Sequence, residues 1–443
     1  MQFARGLDDP AFLNDRPEDL QIRKVDRACH LGIHSQLENK CDLVIQYTRT
    51  MSKCNQAEVS DTTKNPSATA AAWIGALSLA AAMGIGRFSL TPIMPLMQQD
   101  SSLTLAQGSW LATGNYLGYL AGALICAVLP LRPLSAIRWG AISVGVFTLA
   151  MGLTHEFELW LGFRLGAGIA SAFVLVGVSA WAMPILARNG REQWSGRIFA
   201  GVGIGIAFTG FVGLTAGVGA WGSPATWIVL GIIALGPAVL LWLAPIPDDR
   251  SNAPAAPPPF GMPSRSALIA AACYSAFGYG YIIPATFLPA LARDYIDDPA
   301  VFGWVWPVFG TTAAISTLVA VRLLGRLSPR RLWRGAQYVL AAGVLAPVLA
   351  INAITLLIAA LCVGGSFMVI TMAGIKEALR LGGASAAQAV GLMTAGFGIG
   401  QIAGPLMVGY FAESHDAFAW PSLIAVSVLI LSNVALYAVN DAL

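Results

Sequence analysis

Residues 84–95 read GIGRFSLTPIMP, and residues 278–289 read GYGYIIPATFLP. Laid over one another at an offset of 194, the two stretches share Gly at the first and third places and Pro at the last. The same offset carries Trp110 onto Trp304. At an offset of 195, GRIFAGVGIG (196–205) falls on GLMTAGFGIG (391–400). A nearly constant offset across three segment pairs is the mark of an internal duplication. Because the paired segments are long and apolar, the duplication is expected to make two helical bundles of one topology, related by an axis along a membrane normal.

Composition agrees. The chain of 443 residues is 56% hydrophobic and 11% charged, against roughly 25% charged in soluble domains. Residues 1–69 hold 19 of the 49 charges, which leaves about 8% for the rest. A body this poor in charge cannot face water, which excludes a soluble enzyme, a nucleic-acid binder and a disulfide scaffold. A net charge of +3 is too small to point to a polyanion partner.

From residue 70 onward there are twelve apolar segments: 72–97, 107–130, 135–154, 157–187, 194–220, 225–245, 266–292, 301–325, 331–351, 353–379, 387–411 and 418–440. Each is long enough for a ~30 Å hydrocarbon core. They are continuously apolar, not alternating, so helices are expected rather than barrel strands. The expected fold is an all-α membrane protein, with a bundle at 70–245, a Pro-rich linker at 246–265 and a second bundle at 266–443. Fourteen Lys and Arg, from Arg132 to Arg380, lie at one set of helix ends. The other set has Arg293 alone, with Asp100, Glu156, Glu158, Asp294, Asp297, Asp298, Glu413 and Asp416. By the positive-inside rule both termini and the linker face the cytoplasm of a bacterial inner membrane.

Residues 1–69 read as a polar, disordered cytoplasmic extension, and Met51 offers an alternative start. Cys29, His30, His34 and Cys41 lie there at a spacing that matches no standard zinc site, so no metal is expected. Cys126, Cys273 and Cys362 lie in apolar segments and read as small hydrophobes.

With these features on hand, residues 70–443 resemble the major facilitator superfamily (MFS) of secondary transporters. Arg164-Leu-Gly-Ala-Gly168 is similar to its Arg-x-x-x-Gly signature. The Gly-rich stretch 201–217 is similar to a glycine-packed fifth helix often tied to export, and LGRLSPRR (324–331) to a decayed loop motif. The equivalent loop near Arg132 departs from that motif, having no acid. GIGRFSLTPIMPLM (84–97), WLATGNYLGYLAG (110–122) and GFGIGQIAGP (396–405) resemble the YbfB/YjiJ-type branch. The resemblance implies a twelve-helix fold in two six-helix bundles, transport by alternating access and no cofactor.

Arg87 is 14 residues beyond Trp73, about 21 Å along a helix. A charge at that depth must face a cavity or a partner. Arg164 lies at similar depth, and no Asp or Glu lies in the middle of any segment. Two such cations repel unless an anion or acceptors lie between them. A small anionic organic solute, a carboxylate, is therefore the expected substrate, held by Arg87 with Arg164. Tyr281 falls at the Arg87 position of the second repeat; Tyr274, seven residues earlier, shares its helical face. Asn115 and Gln401 are amides that need partners. All six are candidate substrate-binding residues.

No ATP-binding loop is present, so transport is expected to be driven by a gradient or to be facilitated diffusion, with a proton or other ion as candidate partner. Asp100 and Glu377 are the nearest carboxylates for such a role, though each reads more simply as a solvated loop charge. A monomer is expected. The rival reading is a non-transporting membrane receptor or sensor on this fold, for which residues 1–69 would recruit the signalling partner.

Overall fold

Backbone amides inside a membrane have no water to bond, so each long apolar segment must satisfy its own hydrogen bonds as a helix. The computed structural model describes residues 67–129, 131–244, 246, 264–296, 298–382, 386–414, 417–437 and 439. The cluster at Cys29–Cys41, the rest of the polar extension up to residue 66, and residues 247–263 of the linker lie outside the described residues.

The helices are α1 (Ala68–Asp100), α2 (Leu105–Val128), α3 (Pro133–Ala150), α4 (Phe157–Arg188), α5 (Ser195–Val218) and α6 (Ser223–Leu243). They continue as α7 (Arg265–Tyr295), α8 (Val305–Leu324), α9 (Pro329–Leu349), α10 (Ala353–Gly382), α11 (Ala386–Tyr410) and α12 (Ala419–Ala435). No strand occurs among the described residues. By length and composition, eleven helices of the described residues can cross a membrane; α12, with 17 residues, is shorter.

Local chemistry sets the helix ends. The Ser67 hydroxyl accepts from the Ala70 amide and starts α1 at Ala68, four residues before the apolar segment that begins at 72. Thr104 and Gln107 form a reciprocal capping box at the start of α2. Helix α1 packs on α4 and α5; α2 on α4; α3 on α4 and α6. Helix α7 packs on α10, α11 and α12; α8 on α10; α9 on α10 and α12. Between these two sets, α5 meets α8, α2 meets α11, and the end of α1 meets α7.

Between apolar helices in lipid, close backbone approach does much of the holding. A Cβ on Gly118 would lie 2.1 Å from the Leu165 carbonyl oxygen, and one on Gly310 2.1 Å from the Ala207 nitrogen. Gly118 and Gly122 of α2, Gly201 and Gly205 of α5 and Gly400 of α11, each with a neighbouring backbone oxygen within 2.6 Å of where a Cβ would lie, are therefore packing residues. The described helices have an acidic end bearing Asp100, Glu156 and Asp294, and an arginine-rich end bearing Arg188, Arg322, Arg330 and Arg380.

Candidate functional site

Helix α1 is not one regular helix. Residues Ala80–Arg87 form a π-helix, and α-helix resumes at Leu90. The Phe88 amide reaches back five residues to the Met83 oxygen, at 3.2 Å. Pro92 has no amide to offer, and the Thr91 amide turns to the Phe88 oxygen at 3.3 Å. The Arg87 carbonyl is thus left without its usual partner four residues on. The expectation of one continuous α-helix over 72–97 fails here, because the widened turn breaks the 100° period.

Helix α4 takes up the freed carbonyls. Arg164 donates from Nη1 to the Gly86 oxygen at 2.9 Å and from Nη2 to the Arg87 oxygen at 2.7 Å. The Ser171 hydroxyl donates to the Ala82 oxygen at 2.9 Å. Arg164 is 2% exposed. Both its terminal nitrogens are engaged by backbone carbonyls, which fits Arg164 as a structural link between α4 and α1. The separation of two buried cations is solved with carbonyl acceptors, not an anion. Asn115 supports the same joint: its Nδ2 donates to the Arg164 carbonyl at 2.8 Å, tying α2 to α4.

The width of that turn follows from the duplication. A Cβ on Gly201 or Gly205 would lie 2.2 Å from the Ala76 oxygen or 2.3 Å from the Ala80 oxygen. A Cβ on Gly396 or Gly400 would lie 2.8 Å from the Ala271 oxygen or 2.1 Å from the Ser275 oxygen. Ala76, Ala80, Gly201 and Gly205 thus match Ala271, Ser275, Gly396 and Gly400 at an offset of 195. Beyond the π-helix, the Thr91 hydroxyl donates to the Ala285 oxygen at 2.9 Å, a pair 194 apart. The register changes between Ala80 and Gly84, where the first repeat has one residue more than the segment Ser275–Gly278. The π-helix absorbs that residue, and it ends on Arg87.

Arg87 is 2% exposed. Its Nη2 donates to Gln401 Oε1 at 2.5 Å. Its Cζ lies 4.1 Å from the ring centre of Tyr119, 5.1 Å from Tyr116 and 5.6 Å from Phe88, a cation seated among aromatic faces. Its Nε has no hydrogen-bond partner, and no carboxylate of the described residues pairs with it. Gln401 Nε2 donates to the Tyr281 hydroxyl. The Tyr281 ring lies between Phe367 and Phe397, at centroid distances of 5.5 and 5.6 Å and interplanar angles of 3° and 6°. Tyr274 is farther along the same stack, edge-on to Trp333 at 5.5 Å, with its hydroxyl donating to the Thr371 oxygen at 3.4 Å.

The structure therefore brings together Arg87, Gln401 and Tyr281, puts Arg164 and Asn115 behind them as supports, and sets Tyr274 in the adjoining aromatic stack. Sequence reasoning passed over Tyr116, Tyr119, Phe367 and Phe397. The available signal was the run Asn115-Tyr116-x-x-Tyr119 at the depth of Arg87, which places rings where a buried guanidinium needs them. On the acidic-end side of Arg87 the helices are tied together. Tyr116 and Thr286 hydroxyls lie 2.8 Å apart, and Arg293 Nη1 donates to the Pro95 oxygen at 2.8 Å.

The two carboxylate candidates lie elsewhere, and neither is a free loop charge. Asp100 accepts from the Ser223 amide and, at 2.9 Å, from the Ser223 hydroxyl. Ser223 opens α6, so Asp100 caps that helix where its dipole is positive. The Glu377 side chain is 1% exposed and not solvated. It accepts from Arg330 Nε at 3.0 Å and from Arg380 Nε and Nη2 at 3.0 and 2.7 Å.

Comparison with known proteins agrees with this architecture. A relative from Bacillus subtilis (strain 168), "Uncharacterized MFS-type transporter YceJ", is 27% identical over 265 residues, 55% of this chain. The match spans 64% of that relative's length. Among solved structures, the nucleoside transporter NupG superposes with a TM-score of 0.65 at 13% identity, covering 83% of this chain and 99% of that one. A bacterial homolog of the human lysosomal transporter Spinster, inward-facing and occupied, gives 0.61 at 15% identity, covering 83% and 96%. These likenesses concern the fold. The family model described as "Uncharacterised MFS-type transporter YbfB" matches residues 79–437. With that match over most of its length, the chain is a multi-pass membrane protein that belongs to the YbfB-type family of MFS transporters.

Proposed function

We propose that the protein is a secondary transporter that carries a small anionic organic solute across a bacterial inner membrane by alternating access. The observation that carries this reading is the state of Arg87. Its charge is buried without an acid, at the place where α1, α7 and α11 meet, and its Nε is unused. An uncompensated cation in a membrane interior is costly. A substrate carboxylate would relieve that cost and could displace Gln401 Oε1 from the guanidinium. Rings of Tyr116, Tyr119 and Tyr281 would flank the solute. Six helices in each of two bundles, twelve in all, is the arrangement we propose. It is supported by the recurrence six helices later of the pairs α1–α5, α2–α4, α3–α4 and α3–α6. The arginine-rich end is assigned to the cytoplasm with both termini, on the positive-inside rule.

A thermal-unfolding screen of the purified protein tests the substrate class. Small organic acids should raise the midpoint in a concentration-dependent way, and matched amines and neutral analogues should not, since a ligand stabilises the state it binds. A response to amines alone would overturn the anionic assignment.

A further inference from the structure

At the arginine-rich end, a cavity of about 480 Å³ lies between the start of α9 and the ends of α10 and α12. Among the described residues, Arg330, Arg331, Arg334 and Arg380 line it around the carboxylate of Glu377, a formal surplus of three positive charges. Glu377 holds Arg330 and Arg380 in fixed positions, so the anion-binding capacity of the remaining lining lies with the other two arginines. The Arg331 side chain is exposed. The Arg334 guanidinium rests on the ring of Tyr437, 3.1 Å from its centre, and its buried Nε has no hydrogen-bond partner.

The remaining lining is Leu436, Tyr437 and Ser328. Tyr437, just past the end of α12, is 64% exposed. Exposed tyrosines at helix ends are typical of the membrane boundary, where headgroups lie. Basic pockets between helices at that depth suit phosphate headgroups, and arginine forks match phosphate oxygens in pairs.

We propose that this cavity binds the phosphate diester of an anionic phospholipid, with Arg331 and Arg334 as the hands and the Arg330–Glu377–Arg380 cluster as the frame. A soluble phosphate ester offers the same chemistry from the aqueous side. The apolar Leu436 and Tyr437 beside the arginines favour the lipid.

The test is a lipid titration of the purified full-length protein in detergent, read by thermal unfolding and by lipid retained per protein. Phosphatidylglycerol, phosphatidylcholine and soluble glycerol phosphate are the three probes. Phosphatidylglycerol should stabilise the protein and be retained; the other two should do neither. Arg331→Gln should weaken phosphatidylglycerol about fivefold, and Arg331→Gln with Arg334→Gln roughly 25-fold, from the usual contribution of one arginine at a charged membrane surface. Arg331→Gln alters an exposed side chain, so it keeps the test valid if the double variant does not fold. Arg197→Gln, exposed on α5 outside this cavity, should leave the affinity unchanged. Equal losses from Arg197→Gln and Arg331→Gln would reduce the effect to general surface charge and overturn the site. A response to glycerol phosphate without one to phosphatidylglycerol would overturn the lipid assignment.

Discussion

Arg87 and Tyr281 occupy equivalent places in the two repeats, 194 residues apart, and they meet on one side chain: Gln401 accepts from the arginine and donates to the tyrosine. The duplication thus yields a cation in one half and a neutral ring in the other, joined through an amide of α11. A carboxylate at 401 would neutralise the pair permanently; an amide leaves the charge available.

Arg87→Ala is expected to abolish flux in proteoliposomes while the protein still inserts, because removing a charge from the membrane interior eases insertion. Arg87→Lys should fail as well, since an ammonium cannot reproduce the planar fork. Wild-type flux in either variant would contradict the role given to this residue.

Gln401→Glu should lock Arg87 in an ion pair. The expected result is a higher unfolding temperature with little or no flux. Gln401→Ala should instead lower stability by about 1–3 kcal/mol, the usual cost of stranding a buried donor. If both variants transport normally, the three-residue chain is not part of the cycle.

Arg164→Ala should act on folding and not on substrate affinity. It strands the carbonyls of Gly86 and Arg87, and charge-assisted bonds of this kind contribute roughly 1.5–3 kcal/mol each. Yield and unfolding temperature should fall sharply, whereas any folded fraction should keep its apparent affinity. A variant that folds well but binds substrate poorly would return Arg164 to the binding site.

Gly205→Ala and Gly400→Ala should each disrupt packing, because the new methyl would lie 2.3 Å from the Ala80 oxygen or 2.1 Å from the Ser275 oxygen. Gly365→Ala and Gly391→Ala, with nothing within 4 Å of the added carbon, should be tolerated. Comparable expression of all four would show that close approach is not required.

Asp100→Asn and Glu377→Gln address coupling. Both carboxylates have structural partners, so neither is expected to carry the proton of a coupled cycle. Asp100→Asn should leave pH-gradient-driven flux intact. Glu377→Gln should lower stability, by removing the carboxylate that pairs with Arg330 and Arg380, without separating flux from the gradient. Gradient-independent flux in either variant, with exchange preserved, would make that residue the proton carrier.

The helical character and the internal repeat were readable because lipid demands long apolar helices and the glycine motifs recur at nearly one offset. Arg87, Tyr281 and Gln401 were readable for a related reason: a charge or amide in an apolar helix has few places to go. The role of Arg164 was not, because its partners are backbone carbonyls, which leave no mark in a sequence. Nor was the burial of Glu377, since a carboxylate near a helix end looks solvated until the arginines of two helices converge on it. The π-helix had a faint signal in the change of offset from 194 to 195, whose meaning depends on contacts between helices.

The extra residue in α1 and the arginine of α4 form a matched set, and this makes the two sites genetically dependent. Deleting one alanine from Ala80–Ala82 would give the first repeat the same count as Ser275–Gly278 and let the turn tighten to an ordinary α-helix. The carbonyls that need Arg164 would then find amides within their own helix. Such a deletion should act as a second-site suppressor of Arg164→Ala, rescuing folding in a background where either change alone is harmful.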